Sequence, residues 1–168
     1  ATVYINGSKI GSSYSLNYTN SSYTSYSALA IGRYATANTG YGFDGMMDQI
    51  RIFDKALSPG EINSLYNETT TTAALGTISN PSTVAYYKMQ DATDETGSYN
   101  GTASNVNFNV QGKYGFAGKF NGSSSFIETS SEATTTEGNK TISGWIFSNV
   151  ANNGFAFVAN GKIILQYT

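Results

Sequence analysis

The chain has 168 residues, with 9 Lys+Arg against 11 Asp+Glu and neither His nor Cys. Charged residues are 12 % of the total, about half the usual share, which argues against a basic nucleic-acid-binding face and against charge-driven disorder. Without His or Cys there is no Ser-His-Asp triad, disulfide, thiolate metal site or near-neutral imidazole switch.

In chain order, Thr2 to Ile5 reads as a strand and Asn6-Gly7 as a hairpin turn rather than as part of a signal peptide. Strands follow at Ala28 to Arg33 and Met46 to Phe53. Ser58, Pro59 and Glu61 then form a helix-start signature, cap, first helical residue and capping-box acid, which predicts a short helix from Pro59 to Tyr66. The run NETTTTAALGTISNPS from Asn67 to Ser82 has no hydrophobic period and reads as a linker. It divides the chain into residues 1–67, a linker over 68–83 and residues 84–168. Beyond it, strands are expected at Val84 to Met89, Tyr114 to Asn121, Ser125 to Thr129, Lys140 to Phe147, Phe155 to Ala159 and Lys162 to Tyr167, with tight turns at Asn121-Gly122 and Asn160-Gly161. Many short strands at regular spacing, and 13 Tyr among abundant Ser, Thr and Asn, specify an all-β sandwich or barrel. No apolar run approaches the ~20 residues of a membrane-spanning helix.

Val3-Tyr4-Ile5-Asn6-Gly7, Ile31-Gly32 and the stretch FDGMMDQIRIFDKALSPGEINSLY from Phe43 to Tyr66 resemble the C-terminal half of a laminin-G-like domain of the concanavalin A-like superfamily. AYYKMQDATDETGSYNGT from Ala85, GKYGFAGKFNGSSSFIET from Gly112 and TISGW from Thr141 resemble its N-terminal half. The resemblance implies an all-β, antiparallel jelly-roll sandwich with one short helix, in which the last and first strands lie side by side and antiparallel. The halves occur in reversed order. Three arrangements fit: a window across two tandem domains, a circularly permuted single domain, or halves that complete neighbouring copies.

Strict alternation along Met46 to Phe53 puts Asp48, Ile50 and Ile52 on one face and Met47, Gln49, Arg51 and Phe53 on the other. A carboxylate on an isoleucine face needs a partner. Asp48 either accepts backbone N–H bonds from a loop or, with Asp94 and Asn100, supplies oxygens to a structural calcium ion. Asp94 and Asn100 also suit Asx-turns. The double-calcium site of pentraxin-type relatives is not expected, because Arg33 to Phe43 holds no carboxylate. Tyr34, Tyr41 and Tyr99 sit in loops as candidate ligand-binding aromatics for sugar rings, or as loop-packing residues, as do Tyr14, Tyr18, Tyr23 and Tyr26 in their own segment. Trp145 is expected in the core, Arg51 in a surface pair with Asp54 or Glu61, and Glu128, Glu132 and Glu137 in a solvated loop.

Glycosidases need two carboxylates about 5 to 10 Å apart across a cleft, and the Glu-x-Asp-x-Glu run of the superfamily's glucanases does not occur. The expectation is a non-catalytic structural or adhesive laminin-G-like module, akin to tandem repeats of phage structural and extracellular surface proteins. Its implied location is the virion surface or the extracellular space, and its implied partners are glycans or further copies and subunits of a surface assembly, with no nucleic acid. A lectin-like carbohydrate-binding domain and a filament subunit assembled by strand exchange remain as alternatives.

Overall fold

The computed structural model describes residues 2–10, 28–33, 42–69, 83–131, 133, 138–149, 154–159 and 163–167, the last two stretches as strand backbone. Tyr14, Tyr18, Tyr23, Tyr26, Tyr34, Tyr41, Glu132, Glu137 and the Asn160-Gly161 turn lie outside the described residues. Val3–Ile5 (β1) and Ser8–Ile10 (β2) form a hairpin. Its turn is Asn6-Gly7, both at positive φ (50° and 73°), the geometry that makes Asn-Gly the favoured two-residue connection. Leu29–Ile31 (β3), Asp44–Phe53 (β4) and the helix Pro59–Tyr66 (α1) complete the segment before the linker. After it come Thr83–Tyr87 (β5), Gly101–Ser104 (β6), Asn107–Gln111 (β7), Phe116–Asn121 (β8), Phe126–Thr129 (β9), Thr141–Ser148 (β10), Gly154–Ala159 (β11) and Ile163–Tyr167 (β12). β2, β6 and β7 were not expected from the sequence: they are short, and polar residues in them mask any alternation.

Two five-stranded antiparallel sheets make the sandwich, one ordered β12-β11-β3-β9-β6 and the other β10-β4-β8-β7. β5 joins the second sheet on the same β4 edge as β8. Strand β4 is long enough to be flanked twice on that edge: residues 44–47 pair with β8 and residues 50–53 with β5. Its other edge is covered by β10 from Gly45 to Phe53. β4 and β5 are thus antiparallel neighbours, the adjacency the resemblance implied. The inner core packs Leu29, Ile31 and Ile127 of one sheet against Met47, Ile50, Ile52, Ala85, Tyr87 and Phe120 of the other, all fully buried. Phe43 meets the Phe120 ring edge-on at 5.9 Å.

The alternation expected along β4 is broken once. Ser143 of β10 faces Arg51 and Trp145 faces Asp48, so Gln49 and Ile50 together oppose Gly144. This is a β-bulge, with Gln49 at φ 54°, a left-handed position that glycine usually takes. Gly144 fits opposite it without a side chain: a Cβ there would stand 2.5 Å from the end of the Ile50 side chain, which would have to shift. One extra residue reverses the face of everything before it relative to everything after. Met47 therefore joins Ile50 and Ile52 in the inner core, and Asp48 falls on the outer face with Arg51. The expected sharing of a face by Asp48, Ile50 and Ile52 is corrected accordingly. Trp145, paired with Asp48, is carried to the outer face as well and is only half-buried, where the core was expected.

Candidate functional site

The outer face of β4 carries a buried polar cluster. Helix α1 is set beside it by a complete capping box, in which Glu61 N–H donates to Ser58 Oγ (3.3 Å) and Ser58 N–H donates to a Glu61 carboxylate oxygen (2.8 Å). Leu65 and the half-buried Ile62 of α1, with Leu57, pack on Phe53. Tyr66 stacks on Trp145 with ring centroids 5.7 Å apart, and Gly7 of the hairpin turn packs closely against the Tyr66 side chain. The chain then turns in to place Glu68 beneath this layer, where it is buried despite its charge.

Arg51 is the hub. Its Nη1 donates to both Glu68 carboxylate oxygens (2.9 and 3.0 Å), and neither side chain is more than 2 % exposed. Nη2 donates to Gln49 Oε1 and to the Tyr86 hydroxyl oxygen, both at 3.2 Å. The Tyr86 hydroxyl in turn donates to Gln49 Oε1. Arg51 Nε is buried without a hydrogen-bond partner. The surface pairing expected for Arg51 is corrected: Lys55 takes Glu61 (2.5 Å), and Arg51 takes the buried Glu68. Glu128 likewise lies in β9, paired with Arg33 at 3.0 Å, rather than in a solvated loop. The Arg33 guanidinium also sits 3.4 Å over the Phe126 ring.

Asp48 occupies the fork where β5 and β8 part along β4. Its Oδ2 accepts the Tyr114 N–H (2.9 Å), and its Oδ1 accepts Gln49 Nε2 (3.1 Å). Burial pushes its carboxyl above the ordinary aspartate range, and the N–H bonds from Tyr114 and Gln49 only partly oppose that. The Tyr114 hydroxyl donates to the Glu68 carbonyl oxygen, so one residue clasps both ends of the cluster. Lys113 Nζ lies 4.4 Å over the Trp145 ring.

Asp94 belongs to a different set. Its carboxylate accepts N–H bonds from Tyr86, Thr96, Ser98 and Tyr99 and the Thr96 hydroxyl, so it organises the loop after β5. Asn100 adjoins it, its Oδ1 accepting the Asp94 N–H at 2.9 Å. Asp48 shares no hydrogen-bond partner with either. Positive N–H ends already converge on both carboxylates, the reverse of what a calcium site offers. Among the described residues no group of three or more Asp or Glu could hold a metal ion. Asp48 and Asp94 thus accept from separate sets of donors, and Asn100 adjoins Asp94. Tyr99 is half-buried against the inner core, and its carbonyl oxygen accepts the Tyr87 hydroxyl at 2.6 Å; Tyr34 and Tyr41 lie outside the described residues.

Sequence reasoning missed Glu68, Gln49 and Tyr114. Glu68 falls in the stretch the sequence assigns to the linker, and a lone acid between a helix end and a Thr run is its only local signal. No helix among the described residues is long and apolar enough to cross a membrane. Residues 1–63 match the laminin-G family model described as the concanavalin A-like lectin/glucanases superfamily, which supports over that segment the resemblance seen in the sequence. No curated protein and no solved structure matches the chain.

Proposed function

We propose that the chain is a non-catalytic structural or adhesive laminin-G-like module of a virion or extracellular surface protein, with the segments before and after the linker forming one permuted sandwich. The observation that carries this reading is where the polar chemistry goes. Among the described residues, the most elaborate buried polar cluster joins Gln49 and Arg51 from the first segment, and Glu68 at the start of the linker, to Tyr86 and Tyr114 from the second. Its groups hold the segments together, and its carboxylates are engaged by Arg51 and by backbone N–H groups rather than facing each other across a cleft as an acid and base would. The test is a pair of cysteines in this cysteine-free chain, at Met46 and Phe147, which are cross-strand partners on β4 and β10. A disulfide within one chain is expected on mild oxidation; its absence from folded protein would overturn the single-sandwich reading.

Carbohydrate binding is the second reading. It is favoured by the half-buried Trp145, flanked by Tyr66, Tyr114 and Lys113, because aromatic faces beside polar rims suit sugar rings, and by the family description itself. A glycan array run with the wild type and with Trp145→Ala decides it: binding lost in the variant supports the lectin reading, and a blank array on folded protein removes it. Melting temperature is expected to be the same in EDTA and in added calcium, whereas a calcium-dependent rise would restore a metal site.

A further inference from the structure

Among the described residues, strands β3 and β4 pair with no strand of their own segment; only the isolated bridge Arg33–Gly42, just outside their ends, links them. β3 lies between β11 and β9, and β4 between β10 on one edge and β8 and β5 on the other. All five neighbours follow the linker. The segment after the linker keeps pairings of its own, β6 with β9, β7 with β8 and β11 with β12. It therefore presents two slots, one in each sheet, and the earlier segment supplies the two strands that fill them. The contacts across this division are extensive. Leu29, Ile31, Met47, Ile50 and Ile52 close the inner core, and the pairs Arg51–Tyr86 and Arg33–Glu128 bridge the segments. The covalent link between Thr69 and Thr83 is a Thr-, Ala- and Gly-containing run.

We propose that residues 28–69 are an exchangeable insert, and that the slots of one copy accept this insert from a second copy of the same chain. This rests on the single-sandwich reading above and extends it to assembly. Every contact that closes the chain on itself can be remade between two chains, because none depends on which chain supplies the strands. What separates the two states is the linker, through the effective concentration it gives the tethered insert. For two parts joined by a short tether that is of millimolar order. A chain in dilute solution closes on itself, and copies crowded to similar local concentration in a surface array exchange inserts and become linked.

The experiment uses full-length chains. One carries Met46→Cys, a second carries Phe147→Cys, and both positions are partly or largely exposed. The two are unfolded, mixed, refolded together over a range of concentrations and oxidised. A disulfide-linked heterodimer is expected, with a yield that climbs several-fold as concentration rises toward the millimolar range. Controls pair Lys88→Cys with either variant, because Lys88 is not opposite Met46 or Phe147, and should give only a low, concentration-independent background. If the double variant Met46→Cys/Phe147→Cys closes a disulfide within one chain, yet the mixed single variants never exceed the control, exchange is overturned while the single sandwich stands. If the double variant crosslinks only between chains, exchange is supported and the closed chain is rejected. If neither crosslinks, both proposals fall.

Discussion

Strand β4 separates two interiors of opposite character. On its inner face Met47, Ile50 and Ile52 meet the facing sheet through apolar contact alone. On its outer face Asp48, Gln49 and Arg51 are no more exposed, at 1 to 2 %, but they are held by directional hydrogen bonds and an ion pair. The inner interior tolerates any neighbour of suitable shape; the outer one accepts only a group with the right donor or acceptor in the right place. Apolar burial supplies the stability of the fold, and the outer cluster supplies the register between the segments. The difference arises from a single inserted residue, Gln49, whose bulge turns Asp48 outward.

The largest expected effect breaks the outer interior. Arg51→Leu leaves Glu68 buried without its cation, and a cost of about 3–5 kcal/mol in urea unfolding is expected. Adding Glu68→Leu should return most of that loss, because an apolar pair of similar volume removes the uncompensated charge, while Tyr86 and Gln49 keep their mutual hydrogen bond. Failure of the double variant to recover would mean that Arg51 acts chiefly through Gln49 and Tyr86. On the inner face, Ile50→Ala should cost roughly 3 kcal/mol through lost transfer energy and a cavity. No charge substitution elsewhere should rescue it, and that contrast separates the two interiors.

How much of this was legible follows from the same contrast. Apolar alternation, Asn-Gly turns and the Ser58–Glu61 capping box are local patterns, so an all-β sandwich or barrel and helix α1 could be read directly, whereas the jelly-roll form and the β4–β5 adjacency came only with the laminin-G-like resemblance. The bulge could not. A glycine at a left-handed position announces itself, but here Gln49 occupies it, held by its bonds to Asp48, Arg51 and Tyr86. Missing it misassigned the face of Asp48 and, through the β10 pairing, of Trp145. Glu68 was illegible for a different reason. Its partner is 17 residues away, and no periodicity connects a residue at a helix exit to an arginine on a strand. The role of Asp94 is half legible: the sequence suits an Asx-turn there, but its four backbone donors come from Tyr86 and from the loop at 96–99, which only the folded chain brings together.

Two carboxylates sharpen the comparison at smaller cost. Asp48→Ala leaves the Tyr114 N–H without its acceptor, and about 1–3 kcal/mol is expected. The folded-state pKa of Asp48 is raised by burial, so the proton is held more tightly in the folded chain than in the unfolded one. Its contribution is fully present below the unfolded value and declines as pH rises through the folded one. The cost of Asp48→Ala, measured by urea unfolding, should therefore be greater near pH 4 than at pH 7, and an equal cost at both would contradict the burial argument.

Glu61 should show the opposite slope. The Lys55 side chain first, then the Ser58 backbone and hydroxyl, lower its pKa to about 2 from an ordinary 4.5. The stability it contributes is present above 4.5 and lost as pH falls toward about 2. Ser58→Ala removes the N-cap acceptor, for which about 1 kcal/mol is typical, and should leave most of the acid dependence in place because Lys55 is the larger cause. Lys55→Met should do the reverse, flattening the acid limb while sparing the cap. Urea midpoints of the two variants between pH 2 and pH 5 separate these roles. If both variants flatten the limb equally, the capping box and the Lys55 pair act as one unit. If neither does, the acid response belongs to other carboxylates, and Glu61 serves the helix only by hydrogen bonding.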